Sequence, residues 1–129
     1  MESYRIYFNT KMLDDALLKT YVTPRIIRDS SSYVEAIAMS FGVTPDKIAE
    51  PTPFLVQQLA MFWSYMTSAQ LKSVFSTGKD VDKDSFALKF RLYKGLLDDL
   101  LKQLSAETFT NGKKAKKRSF PATMEISRN

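Results

Sequence analysis

Length, composition and charge restrict what this chain can do. Its 129 residues are enough for one hydrophobic core, and its 44% hydrophobic and 26% charged residues are typical of a globular domain. The absence of cysteine and histidine excludes disulfides, thiolate nucleophiles and the usual zinc sites, and it removes the side chain most often used for proton transfer near neutral pH. We therefore expect a binding or assembly protein without a cofactor, and not an enzyme.

The distribution of apolar and charged residues bears on membrane association, on secretion and on where the positive charge lies. No apolar run approaches the roughly 20 residues that a membrane span needs, and residues 1–10 lack the basic-then-apolar order of a secretory signal. We expect synthesis in the cytoplasm and no membrane partner. The net charge of +5 is uneven, because residues 106–129 carry six Lys or Arg against two Asp or Glu, whereas residues 1–105 carry 13 against 12.

The first predicted elements are short. Residues 4–8 alternate in a β-prone run, which predicts a short strand with Tyr4, Ile6 and Phe8 on one face. Residues 14–21 predict a brief helix, which must end before Pro24 because the residue before a proline avoids helical geometry.

A longer helix is predicted over residues 32–41. Ser32 and Glu35 have the spacing of a capping box at its start, and Gly42 is the residue type that commonly ends a helix in the left-handed conformation. The apolar residues at the spacing of one buried face are Val34, Ile37, Ala38 and Phe41. A threonine followed by a proline then predicts a single helical turn over residues 45–49.

Two long helices follow. Residues 53–75 are apolar in most directions around the helix axis, which predicts a central helix surrounded by partners. Residues 84–104 carry one regular apolar stripe, and Asp82 or Asp84 would cap this helix. The stripe consists of Phe86, Phe90, Tyr93, Leu97, Leu100 and Leu104. Because only a short polar turn separates the two helices, they should pack antiparallel.

The chain changes character after residue 105. The next residues hold a single large apolar side chain, Phe109, and then a basic run. The residues of this run that would contact DNA or a partner are Lys113, Lys114, Lys116, Lys117 and Arg118. Residues 119–127 alternate as in an edge strand that needs a partner, and the side chains that strand addition would use are Phe120, Met124 and Ile126.

These elements predict a fold class and a division of the chain. The fold is mainly α: a small helical bundle with two long antiparallel C-terminal helices, an extended basic C-terminal arm, and short β segments at both termini. Residues 1–105 would form the helical bundle domain, and residues 106–129 the extended basic arm.

Two motifs resemble ligand loops but have simpler explanations. Residues 80–84 begin like a calcium loop, but Ser85 and Arg91 stand where the loop needs glycine and glutamate, so helix capping is favoured. Residues 77–79 resemble the end of a phosphate-binding loop, yet the following Asp80 would repel phosphate, so we interpret them as a solvated turn.

Two further groups of side chains lead to structural interpretations. The carboxylate pairs at residues 14–15 and 98–99 would point about 100° apart on a helix, so we expect them at the surface and not at a catalytic centre. The residues of an aromatic cluster are Phe62, Trp63, Tyr65 and Met66. We interpret this cluster as core, with a base-stacking or ligand-lining surface as the alternative.

The basic run at residues 113–118 has three readings: a nucleic-acid arm, a nuclear localisation signal, and a solubilising tail that meets an acidic partner. It contains no interleaved aromatic residue, which favours contact with phosphates over reading of bases.

Residues 54–65, an acidic glycine-containing turn, and residues 86–101 together resemble the head-tail connector (adaptor, head-completion) proteins of tailed bacteriophages. The likeness lies in Gln58-Leu59-Ala60 with the aromatic Phe62 after Met61, and in Leu92-Tyr93-Lys94 with Leu96 and Leu97 after Gly95. The resemblance implies a structural virion protein at the neck of the particle, a helical subunit of a homo-oligomeric ring, usually twelvefold. Such a ring binds beneath the portal protein, extends the DNA channel and presents a platform to tail or neck proteins. The alternative, from another class, is a small helical nucleic-acid-binding regulator that uses the basic arm.

Overall fold

The computed structural model describes residues 4–75 and 80–111. They contain four helices, which are α1 (Pro24–Ser40), α2 (Phe54–Phe75), α3 (Asp80–Leu101) and α4 (Ala106–Thr110). Single 3-10 turns lie at Thr10–Met12, Lys19–Tyr21 and Pro45–Lys47. The described residues include no strand, so the predicted mainly helical class is confirmed for them. None of the helices in these two ranges is long and apolar enough to cross a membrane.

Helix α2 is the centre of the bundle, as predicted. Both α1 and α3 pack on it, and from residue 55 to residue 69 every side chain is buried or half-buried. The helix pair α2 and α3 is antiparallel, because Tyr65 contacts Tyr93 while Lys72, two turns further along α2, lies over Phe86. A helix enclosed in this way needs apolar residues in most directions, which explains the absence of a single stripe in its sequence.

Helix α1 begins eight residues before the predicted start. The hydroxyl of Thr23 accepts the N–H of Ile26 at 3.2 Å, and Pro24 occupies the first helical position, where its missing N–H costs nothing. The predicted capping box at Ser32 was therefore wrong. The predicted end is confirmed, since Gly42 follows α1 with a φ of 83°.

The N-terminal segment is neither of the two elements predicted for it. Residues 4–8 form no strand: Tyr7 and Phe8 are both buried, while Tyr4 and Ile6 are exposed. Side chains hold the segment instead. The guanidinium of Arg5 donates to the carbonyls of residues 48 and 49 and to the hydroxyl of residue 52. The brief helix predicted over residues 14–21 is a turn followed by a 3-10 turn.

Helix α3 is displaced by a few residues from its predicted bounds. It begins at Asp80, so Asp84 lies within the helix and does not cap it. Carboxylates in the first turns of a helix are favourable because they face its positive end. The helix ends at Leu101, where the chain tightens into turns closed by the N–H groups of residues 102 and 103, yet the predicted last core residue, Leu104, is still buried.

The folded body continues past residue 105, where we had expected the arm to begin. Helix α4 packs on α2, and the Phe109 side chain is completely buried. The N–H of Ala49 donates to the Phe109 carbonyl at 2.8 Å, which fixes α4 to the loop before α2. The predicted basic run and the predicted C-terminal strand lie outside the described residues.

Candidate functional site

Helix α3 carries two apolar surfaces, of which only one belongs to the core. The inner surface is the predicted stripe: Phe86, Tyr93, Leu97 and Leu100 are buried and Phe90 packs against them. The outer surface consists of Leu88, Leu92 and Leu96, which are 61%, 48% and 38% exposed. We call these three residues the leucine stripe.

The leucine stripe is continuous. Residues four apart lie one turn above each other on a helix, so the three side chains form a row about 12 Å long. At about 100° per residue, the centre of this row is about 120° around the helix from the centre of the core stripe. The row therefore faces away from α2. Single exposed leucines need no explanation, but an apolar row of this kind is typical of a surface that binds another protein.

Gly95 borders the leucine stripe. It lies inside α3, where glycine costs about 1 kcal/mol relative to alanine. A Cβ atom added to it would meet no atom within 4 Å, so nothing in residues 4–75 and 80–111 requires a glycine here. Its effect is to leave open space beside Leu92, three residues before it, into which a side chain from outside can fit.

Charged residues flank the row at both ends. Asp84 is exposed near its N-terminal end. Near its C-terminal end, the Lys102 ammonium lies 3.9 Å from a carboxylate oxygen of Asp99, which is about 20° around the helix from Leu92. The surface thus has an apolar centre and a charged rim, which is the usual anatomy of a protein-protein contact. The expected surface position of the carboxylates at residues 98 and 99 is confirmed.

A buried carboxylate fixes α3 in its orientation. Asp15 was expected at the surface, but its side chain is only 2% exposed. Its Oδ2 atom accepts the hydroxyl of Tyr93 at 2.6 Å and the ammonium of Lys89 at 2.9 Å. Its Oδ1 atom accepts the N–H groups of Leu17 and Leu18, each at 3.0 Å. The neighbouring Asp14 is exposed, so the two carboxylates have different environments.

The electrostatics of this cluster favour the charged carboxylate. Burial alone would raise the pKa of Asp15, but the hydrogen bonds from Tyr93, Lys89 and Leu18, and the charge of Lys89, outweigh it and hold the pKa below its usual range. Burial, together with the nearby carboxylate, raises the pKa of Tyr93. Tyr93 therefore stays a hydrogen-bond donor. Because Lys89 and Tyr93 are on α3, their bonds to Asp15 set the rotation of the helix that points the leucine stripe outward.

The aromatic cluster of α2 is mostly core, as interpreted from the sequence. Tyr65 is buried, its hydroxyl accepts the N–H of Asp15 at 2.9 Å, and its ring centroid lies 4.7 Å from that of Tyr93. Trp63 is half-buried and stacks on Tyr33 of α1 at 5.5 Å. These contacts join α2 to both neighbours, so the rings serve the packing of the bundle.

The remaining sequence candidates fall into two groups. Within residues 4–75 and 80–111 there is no group of three or more acidic side chains placed to hold a metal ion. The glycine-containing turn at residues 77–79, the basic residues Lys113, Lys114, Lys116, Lys117 and Arg118, and the strand residues Phe120, Met124 and Ile126 lie outside the described residues.

Sequence reasoning missed the leucine stripe, although a signal was present. Leucines at residues 88, 92 and 96 repeat every four positions on a side of α3 about 120° from the predicted core stripe. Asp15 gave no local signal, because its partner Tyr93 lies 78 residues away. No protein-family model, no curated protein and no solved structure matches this chain.

Proposed function

We propose that this chain is a structural assembly protein, and specifically a head-tail connector subunit that forms a ring beneath the portal of a tailed bacteriophage. The observation that carries the proposal is the leucine stripe: a contiguous apolar row on the outside of a helix whose orientation is fixed by buried hydrogen bonds. A rigid body with an apolar outer face is suited to binding other subunits. The resemblance of residues 54–65 and 86–101 to connector proteins supplies the specific form of the assembly.

In this proposal the bundle and the C-terminal residues have different tasks. The bundle occupies a fixed place at the neck of the virion and contacts neighbouring copies, the portal protein and tail or neck proteins. Lys113, Lys114, Lys116, Lys117 and Arg118 contact the DNA in the channel, or acidic protein, without reading sequence. Phe120, Met124 and Ile126 add a strand to a partner.

The test is electron microscopy of the purified chain, alone and mixed with portal rings of the same virus. We expect rings, or added density on one face of the portal ring. A chain that neither forms rings nor attaches to portal rings would contradict the proposal.

A truncated chain separates the two tasks. The chain should be truncated after Asn111 and not after residue 105, because Phe109 is part of the core. Residues 1–111 should keep the circular dichroism spectrum of the full chain but attach to portal rings less stably. The matched control is the full-length chain with alanine at its five basic positions, which keeps the strand residues. If that variant attaches as the full chain does, the strand residues and not the basic run hold the partner.

The second candidate, a nucleic-acid-binding regulator, is favoured by the basic run alone. A regulator should bind duplex DNA at moderate salt and prefer some sequences to others. Contact with five phosphates would give a slope of log K against log salt of about −4 to −5. Equal, weak binding to all sequences would count against a regulator and is compatible with a connector.

A further inference from the structure

We infer that the leucine stripe of α3 binds the leucine stripe of a second copy of this chain, with the two α3 helices antiparallel and Leu92 on the two-fold axis. This inference rests on the proposed function as an assembly protein and names one contact that such a protein makes with itself.

The spacing of the leucines suits such a pair. Leu88 and Leu96 are each four residues from Leu92. In an antiparallel pair centred on Leu92, Leu92 meets Leu92 of the second copy. Leu88 of each copy then meets Leu96 of the other, which gives one such contact on each side of the axis. A two-fold contact of this kind uses the same surface on both subunits.

Gly95 supplies the matching gap. Around α3, Gly95 lies directly opposite the core stripe and about 60° from Leu92. Along the helix it is level, in the antiparallel arrangement, with the region of Leu88 from the second copy. The open space over Gly95 is therefore where that leucine side chain fits. The pair gives a reason for a glycine that the described part of a single chain does not explain.

The charged rim selects the antiparallel direction. Asp84 and Lys102 lie on the same side of the row, at its opposite ends, and both are exposed. Asp84 is eight residues before Leu92 and Lys102 is ten after it, so an antiparallel pair brings each within about 3 Å, along the helix, of the other residue in the second copy. A parallel pair would place Asp84 level with its own copy and Lys102 level with its own copy, on opposite edges of the contact, and would not bring Asp84 and Lys102 together. Arg91 opposes the antiparallel pair. It lies near the two-fold axis, on the same side of the row as Asp84, so its two copies repel each other.

The symmetry separates this contact from the ring contact. A two-fold pair is closed, whereas a ring needs two different surfaces that meet head to tail. The pair is therefore a form of the free subunit, and it must separate before the leucine stripe can bind another subunit of the proposed assembly.

Disulfide trapping tests the pair directly, because the natural chain has no cysteine. A disulfide needs Cβ atoms about 4 Å apart, which the two copies of residue 92 approach at the axis. With Cu(II)-phenanthroline as the oxidant, Leu92→Cys should give a cross-linked dimer. Leu88→Cys and Leu96→Cys should cross-link at least about 5-fold more slowly alone than when mixed. The matched control is Leu71→Cys on α2, an exposed leucine (42%) outside the row.

Sedimentation of the cysteine-free chain gives an independent measurement. Leu92→Asp should raise the dissociation constant of the dimer at least about 10-fold, because the buried leucine pair at the axis would become two carboxylates that repel each other. Leu71→Asp should leave it unchanged, and circular dichroism checks that both variants are folded. Asp84→Lys should weaken the dimer, and Asp84→Lys with Lys102→Asp should restore it.

The outcomes decide between the two proposals. A chain that is monomeric at all accessible concentrations, or a Leu92→Cys chain that cross-links no faster than Leu71→Cys, overturns the pair. If such a chain still forms rings on the portal, the proposed function stands without the pair. A dimer that meets these tests but ignores portal rings supports the pair and contradicts the connector.

Discussion

Replacing Asp15 with asparagine should destabilise the fold, and the effect should disappear in acid. The carboxylate accepts the hydroxyl of Tyr93 at 2.6 Å and the ammonium of Lys89 at 2.9 Å from α3, as well as two backbone N–H groups. Hydrogen bonds to a buried charged group contribute about 1.5–3 kcal/mol each. The pair with Lys89 contributes less, about 1 kcal/mol, because Lys89 is one-third exposed and solvent screens it.

The sum sets the expected size. An asparagine oxygen still accepts the two backbone N–H groups, so the loss is confined to the bonds from α3. We expect Asp15→Asn to lower the free energy of unfolding by about 2–4 kcal/mol at pH 7, and the melting temperature by about 10 °C for a chain of this size. Asp14→Asn is the matched control, because this neighbouring carboxylate is exposed, and it should change the free energy of unfolding by less than about 0.5 kcal/mol.

The pH dependence follows from the lowered pKa of Asp15. A carboxylate whose pKa is lower in the folded than in the unfolded state stabilises the fold fully above its unfolded pKa of about 3.9. That stabilisation is lost as the pH falls through the folded pKa. The difference between the natural chain and Asp15→Asn should therefore be constant from pH 5 to pH 7 and shrink below about pH 4.

Urea unfolding followed by the fluorescence of Trp63, the single tryptophan, measures this difference at each pH. Asp14→Asn, measured in parallel, corrects for the other carboxylates that titrate in acid. An Asp15→Asn chain as stable as the Asp14→Asn chain at pH 7, or a difference that persists unchanged at pH 3, would refute the role assigned to this carboxylate.

Three further predictions concern the bundle. Phe109→Ala should cost about 3–5 kcal/mol because the ring is completely buried, and equal urea midpoints for the variant and the natural chain would show that α4 is not part of the folded body. Gly95→Ala should raise the melting temperature of the dilute chain, because alanine is more favourable than glycine inside a helix by about 1 kcal/mol. Gly42→Ala should lower the melting temperature, because residue 42 has a φ of 83°, which alanine adopts only with strain. Thermal unfolding of both variants measures the two shifts, and shifts of the same sign would contradict this reasoning. Thr23→Ala should cost about 1 kcal/mol by removing the cap of α1, while Thr23→Ser should retain most of it; urea unfolding of the two variants distinguishes capping from packing.

Local rules predicted the long helices because their signals are local. Gly42 ends α1, a proline precedes the start of α2, and the alternating steps of three and four from Phe86 to Leu100 give the inner face of α3. The same rules failed where a stronger neighbouring signal was available. The cap at Thr23, followed by proline, starts α1 before the capping box at Ser32 is reached, so the serines that follow are helical residues.

Residues 4–21 could not be assigned from their own pattern. Tyr7 is buried and donates to Glu35, which is 28 residues away, and Arg5 donates to the loop before α2. Alternation in residues 4–8 predicts a face for a strand, but contacts with distant elements decide which side chains are buried. Phe109 is a similar case, since one aromatic residue in a polar stretch joins the core only because α2 and the loop before it provide its site.

The sequence by itself determined a mainly helical chain with a central apolar helix, an antiparallel partner helix and a basic C-terminal run. Periodicity, capping and charge depend on residues within a few turns of each other, and these are present in any one segment. Only the tertiary structure decided that Asp15 is buried against α3 and that the leucines of α3 remain outside. Both depend on which surfaces the packed helices leave to solvent, and that is settled by contacts between residues as many as 78 positions apart.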